Sequence, residues 1–179
     1  MGQGSGFPTT SPSDHSVRLS GSALEDYVAD VVELLERYGA VVGPDPQPFI
    51  NATPSGARWF EVRAVLQDGR TPSRSVVELR EVWQPVATDS YERREYEFEL
   101  LDRDRDSRRA FHLHDRDVFA RVFDVVVHEH CEQPIGSSSC DHYAGQPVRD
   151  AFAGVEILIG TWANPNEPDC GELTCLDAG

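Results

Sequence analysis

The alternation of apolar and polar positions along this chain changes period twice, and each change marks an element. From Leu24, apolar residues recur at steps of three and four through Val28, Val31, Leu35 and Tyr38. That spacing builds one stripe on a helix. Ser22 and Glu25 form a capping-box pair at its start, and Gly39 stands where a left-handed C-terminal cap belongs. After a connector carrying Pro44, Pro46 and Pro48, the period falls to two. Phe60, Val62, Ala64 and Leu66 alternate with polar neighbours up to an Asp68-Gly69 turn, and Val77, Leu79 and Trp83 mark a second strand. Tyr96, Phe98 and Leu100 mark a third, and Phe111 and Leu113 a fourth. A fifth runs over roughly residues 121–130 with Phe123, Val125 and Val127 as its apolar side. Helical spacing returns with Val148, Ala151, Phe152, Val155, Leu158 and Ile159, although Gly154 weakens a helix there by up to ~1 kcal/mol relative to Ala.

These periods predict an α+β fold: an antiparallel sheet of about five strands with an N-terminal and a C-terminal helix packed on one face. Residues 1–19, rich in Gly, Ser, Pro and Thr, read as a flexible leader. Residues 20–163 read as a single domain, and 164–179 as an irregular Cys-containing tail.

Strand parity then assigns faces, because successive side chains point to opposite sides. If the apolar residues of strands three to five face the helices, Glu95, Glu97 and Glu99 share the opposite face with His112, His114, Asp124, His128 and His130. Four of the six histidines therefore stand in two His-x-His steps on one polar surface. Imidazole titrates near neutrality and binds transition metals, and a neighbouring carboxylate favours its charged form. The structural alternative is a solvated sheet face, on which each histidine is an ordinary polar residue.

Composition narrows the chemistry. The formal net charge is −15, with sixteen basic residues that are all Arg. The absence of Lys excludes a Walker A or Schiff-base lysine, and the acidity opposes avid binding of nucleic acid. Eight Arg fall between Arg93 and Arg121, but ten acidic residues between Glu92 and Asp124 make that stretch zwitterionic. No apolar run approaches the ~20 residues that span a membrane. No secretory signal pattern is visible, so a cytoplasmic location and no membrane partner are expected.

Cys131, Cys140 and His142 extend the second His-x-His step and are suitable Zn²⁺ ligand types, though their spacing matches no zinc knuckle. Zn²⁺ is thus the candidate cofactor. Free thiols are the alternative in a reducing compartment, and disulfides in an oxidising one.

From about residue 59 to 159, the order of elements resembles the TumE-type toxins of bacterial toxin–antitoxin pairs. The likeness rests on Leu66-Gln67-Asp68-Gly69, Glu81-Val82-Trp83, Arg94-Glu95-Tyr96-Glu97-Phe98, His112-Leu113-His114-Asp115, His128-Glu129-His130, and the helix from Val148 to Ile159. The resemblance implies a small α+β ribonuclease silenced by an antitoxin partner, often a helix-turn-helix protein. His128 and His130 would match the family's His pair, and Asp115 its strand-end acid. The leader, the first helix and the Cys tail have no counterpart in it.

Three functions follow as expectations. In a metal-independent endoribonuclease, His112, His114, Asp115, His128 and His130 would supply acid and base, and Arg116 or Arg121 would steady the phosphate of an RNA substrate. In a zinc-binding domain, structural or hydrolytic, the ligands would come from His and Cys at 128–142. In an acidic interaction domain, the polar face would contact a partner without chemistry.

Overall fold

The computed structural model describes residues 17–43, 51–69, 71–113, 127–137 and 148–164, and the backbone of 140–143. The first helix, Gly21–Arg37 (α1), is capped two residues earlier than its sequence suggests. Ser20 is the N-cap, its side chain accepting from the Ala23 amide. Leu24, Val28, Val31 and Leu35 form its buried stripe, and Gly39 closes the end at φ 79°. The second helix, Ala151–Ala163 (α2), is capped by Asp150, whose carboxylate accepts from the Ala153 amide at 2.8 Å.

The sheet is larger than the five strands expected. Its nine strands are Arg18–Leu19 (β1), Val41–Val42 (β2), Asn51–Ala52 (β3), Arg58–Asp68 (β4), Thr71–Ala87 (β5), Ser90–Asp102 (β6), Ser107–Leu113 (β7), Val127–Glu132 (β8) and Cys140–Tyr143 (β9). The main path runs β2-β4-β5-β6-β7-β8-β9, with β1 paired to β6 and β3 to β4. Every pairing is antiparallel. Three of the additional strands have two residues each, too few to show a period of two. The fourth, β9, has no alternation of apolar and polar residues. The α+β class stands, and the correction concerns the size of the sheet. Arg18–Leu19, assigned above to the leader, belongs to the sheet through β1.

One sheet face carries the core. Phe60, Val62, Ala64 and Leu66 from β4, Val77 and Leu79 from β5, and Tyr96, Phe98 and Leu100 from β6 pack against both helices. Phe111 and Leu113 of β7 and Val127 of β8 continue the same face. Burying one such side chain stabilises the fold by about 1.5–3 kcal/mol. Gly154 has its reason here, since a Cβ at that position would lie 2.6 Å from Cδ2 of Phe98. The glycine lets α2 approach the sheet.

The core face also holds charge. The register shifts between Val82 and Trp83, so that Arg93 rather than Arg94 lies opposite Trp83. A bulge of this kind re-aims a side chain. Arg93 turns inward and donates to the Glu81 carboxylate at 2.8 Å, both side chains being fully buried. Tyr27 Oη and Trp83 Nε1 donate to the same carboxylate at 3.0 Å each. Tyr27 in turn accepts from the Ala151 amide at 2.8 Å, and Arg93 donates to the Arg149 carbonyl, so the network holds the start of α2. Among the described residues, no helix is long and apolar enough to cross a membrane.

Candidate functional site

The opposite sheet face is polar, and register decides who meets whom on it. Glu97 of β6 lies opposite His112 of β7, and His112 lies opposite His128 of β8. His130 is opposite Ala110, whose side chain is small and fully buried. A methyl group there leaves room for the His130 ring to lean toward His112, and their ring centroids stand 4.4 Å apart. The other two ring pairs are separated by 4.7 Å (His128–His130) and 5.5 Å (His112–His128).

The polar atoms converge as well. Nε2 of His128 and Nε2 of His130 are 2.9 Å apart, a hydrogen bond in which one ring holds the shared proton. Each of the three histidines places a ring nitrogen within 4.8 Å of the other two. Glu97 Oε1 lies 3.0 Å from His112 Nε2. His128 is buried at 1% exposure, while the side chains of His112 and Glu97 are 12% and 33% exposed. The cluster is therefore partly open at His112, His130 and Glu97 and buried at His128.

Arginines brace the surrounding carboxylates. Arg108 donates to Glu99 and to Glu132 at 2.7 Å each and stands 3.7 Å from Glu97. Hydrogen bonds to these carboxylates raise the Arg108 pKa further above its ordinary value, against the opposing cost of burial. Burial raises the Glu78 carboxyl; Arg63 opposes this, and nearby Glu99, Glu61 and Glu97 add to the rise. Burial works against ionisation of Glu132, but the Gly136 amide and Arg108 outweigh it and lower its pKa. Around the cluster this face carries Glu61, Glu78, Glu95, Glu97, Glu99 and Glu132 together with Arg63, Arg80 and Arg108, and farther along it Glu92 pairs with Arg18 and Arg94.

Of the site residues expected from the sequence, His112, His128 and His130 come together. His114, Asp115, Arg116 and Arg121 lie outside the described residues, as does Asp124. Cys131 points to the opposite face, beside the helices, with Arg109 and Glu129. It is disulfide-bonded, which removes its thiolate from the zinc set of Cys131, Cys140 and His142. The backbone places Cys140 opposite Cys131, and His142 opposite Glu129. Glu129, between the two paired histidines, ion-pairs with Arg109, and Arg109 also donates to Thr161 of α2 at 2.6 Å. Its role is structural. Arg108 was missed by sequence reading, although parity alone puts it on the face of His112, four residues away.

No protein-family model, curated protein or solved structure matches this chain. Its chemistry is therefore read from the geometry of the site.

Proposed function

We propose that this chain is a metal-binding protein whose centre is formed by His112, His128 and His130. The observation that carries this reading is the approach of three imidazole nitrogens to within 4.8 Å of one another, with His128 buried and His112 and His130 partly exposed. A tetrahedral ion with bonds of ~2.0–2.1 Å sets its ligand atoms about 3.4 Å apart. The 2.9 Å His128–His130 contact lies near that spacing, and His112 brings a third ring nitrogen within 4.8 Å of both. Imidazole selects Zn²⁺ and its transition-metal neighbours over Mg²⁺ or Ca²⁺, which prefer oxygen ligands.

This ligand set replaces the Cys-containing one expected from the sequence. The disulfide at Cys131 also suits an oxidising compartment better than the reducing cytoplasm. The endoribonuclease reading uses some of the same histidines. It must bring a polyanion past Glu61, Glu78, Glu97 and Glu99, four carboxylates set among the three guanidinium groups of Arg63, Arg80 and Arg108, which disfavours RNA as substrate. The toxin resemblance and its helix-turn-helix antitoxin carry no support from the site itself.

The test is elemental analysis and calorimetric Zn²⁺ titration of protein purified without a polyhistidine tag. One equivalent of zinc is expected, with His112→Ala and His128→Ala each losing it. Sub-stoichiometric binding by the parent protein, or retention by both variants, refutes the reading.

A further inference from the structure

The histidine cluster borders a cavity through Glu97. Glu97 touches His112 on one side, and on the other it lines a cavity of about 180 Å³ with Glu61, Glu78, Arg80 and Glu99. His128 is buried at 1%, whereas His130 is partly exposed and the side chains of His112 and Glu97 are 12% and 33% exposed. On the cavity side the cluster thus meets a carboxylate held at contact distance from one of its imidazoles. Structural zinc sites are closed by four protein ligands, whereas catalytic ones keep a position open to water.

Resting on the metal-centre reading, we infer that the site is hydrolytic: its open position faces Glu97, and its substrates are esters or amides without negative charge. An ion held by three imidazoles lowers the pKa of a water beside it toward neutrality. Glu97 takes one proton from that water. The oxygen adds to the acyl carbon, the bond from that carbon to the leaving oxygen or nitrogen breaks, and Glu97 returns the proton to the leaving group. Water and an ester give a carboxylic acid and an alcohol, and no oxidant or reductant enters. The charge of the cavity sets the substrate class. Four carboxylates line it and, among the described residues, three guanidinium groups (Arg63, Arg80 and Arg108) meet them, so a phosphate diester is disfavoured relative to a neutral or cationic acyl compound.

Zinc-loaded full-length protein assayed with 4-nitrophenyl acetate and with bis(4-nitrophenyl) phosphate tests this. The acetate should be hydrolysed at least about 10-fold faster than by chelator-stripped protein, and the phosphate diester should remain near background. Glu97→Gln should lower kcat by about 100-fold, the low end for a lost general base, with zinc content and KM nearly unchanged. Glu97→Asp should restore part of the loss. If the parent holds one equivalent of zinc yet cleaves the acetate no faster than stripped protein, the inference fails and the metal centre survives. Loss of zinc from Glu97→Gln makes Glu97 a fourth ligand of a closed site, and also overturns it. If the parent holds no zinc, both readings fall.

Discussion

Truncating Glu81 should threaten the whole fold. Its carboxylate is fully buried and accepts from Arg93 at 2.8 Å and from Tyr27 and Trp83 at 3.0 Å each. Glu81→Ala leaves a buried guanidinium without its counter-charge, which costs ~3–5 kcal/mol. It also strands the Trp83 and Tyr27 donors, each worth ~1–3 kcal/mol if no water replaces the acceptor. Domains of this kind have a total stability of about 5–15 kcal/mol, so the sum takes the protein close to unfolding. The desolvation of Glu81 pushes its carboxyl above the ordinary range even though Arg93 pulls it down, so the pair is costly to bury as well as costly to break. Removing both charges should therefore hurt less than removing either one. Equilibrium urea denaturation of Glu81→Leu, Arg93→Met and the Glu81→Leu/Arg93→Met double variant, with Glu81→Ala beside them, measures this. The single variants should each lose at least ~3 kcal/mol, and the double variant less than the sum. A single-variant loss below ~1 kcal/mol, or strict additivity, would refute the view that the pair acts as a closed unit.

Three further outcomes follow from the same geometry. Gly154→Ala should destabilise by up to ~2 kcal/mol in a thermal melt: the new Cβ would sit 2.6 Å from the fully buried Phe98 ring, an overpacking cost of ~1–3 kcal/mol against a helix gain of ~1 kcal/mol. A more stable variant would show that α2 does not depend on this close approach. Zn²⁺ at 100 times its dissociation constant should stabilise the parent by ~2.7 kcal/mol, reversibly with chelator, and leave His128→Ala unmoved; an equal gain in the variant would place the ion elsewhere. Glu132 has a lowered pKa, so its contribution is present above its ordinary value of 4.5 and fades as pH falls through the lowered one. Glu132→Gln should accordingly melt roughly 2–4 °C below the parent at pH 7, about 1 kcal/mol for a chain of this size, and the two melting curves should converge below pH 4.5. A gap that persists in acid would mean that the effect is not electrostatic.

The period of the pattern determined a good part of this protein. Leu24, Val28, Val31 and Leu35 specify the buried stripe of α1, and strict alternation through Tyr96, Phe98 and Leu100 leaves Glu97 and Glu99 on the far face. Parity also put His112, His128 and His130 on one side, because side-chain direction in a strand depends only on odd or even position. Parity cannot say which residues of two strands lie opposite. Only the tertiary register set Glu97 against His112 and His112 against His128, with Ala110 leaving room for His130. Nor does alternation survive a bulge: one inserted residue turned Arg93 into the core to meet Glu81, a contact that no local pattern announces. Gly154 reads as a weak point of a helix in isolation and becomes a packing requirement only beside Phe98. The disulfide at Cys131 likewise depends on where the folded chain brings a second cysteine. Local spacing governs the direction of each side chain. The assembled sheet, through pairing and close packing between distant segments, decides which of them meet.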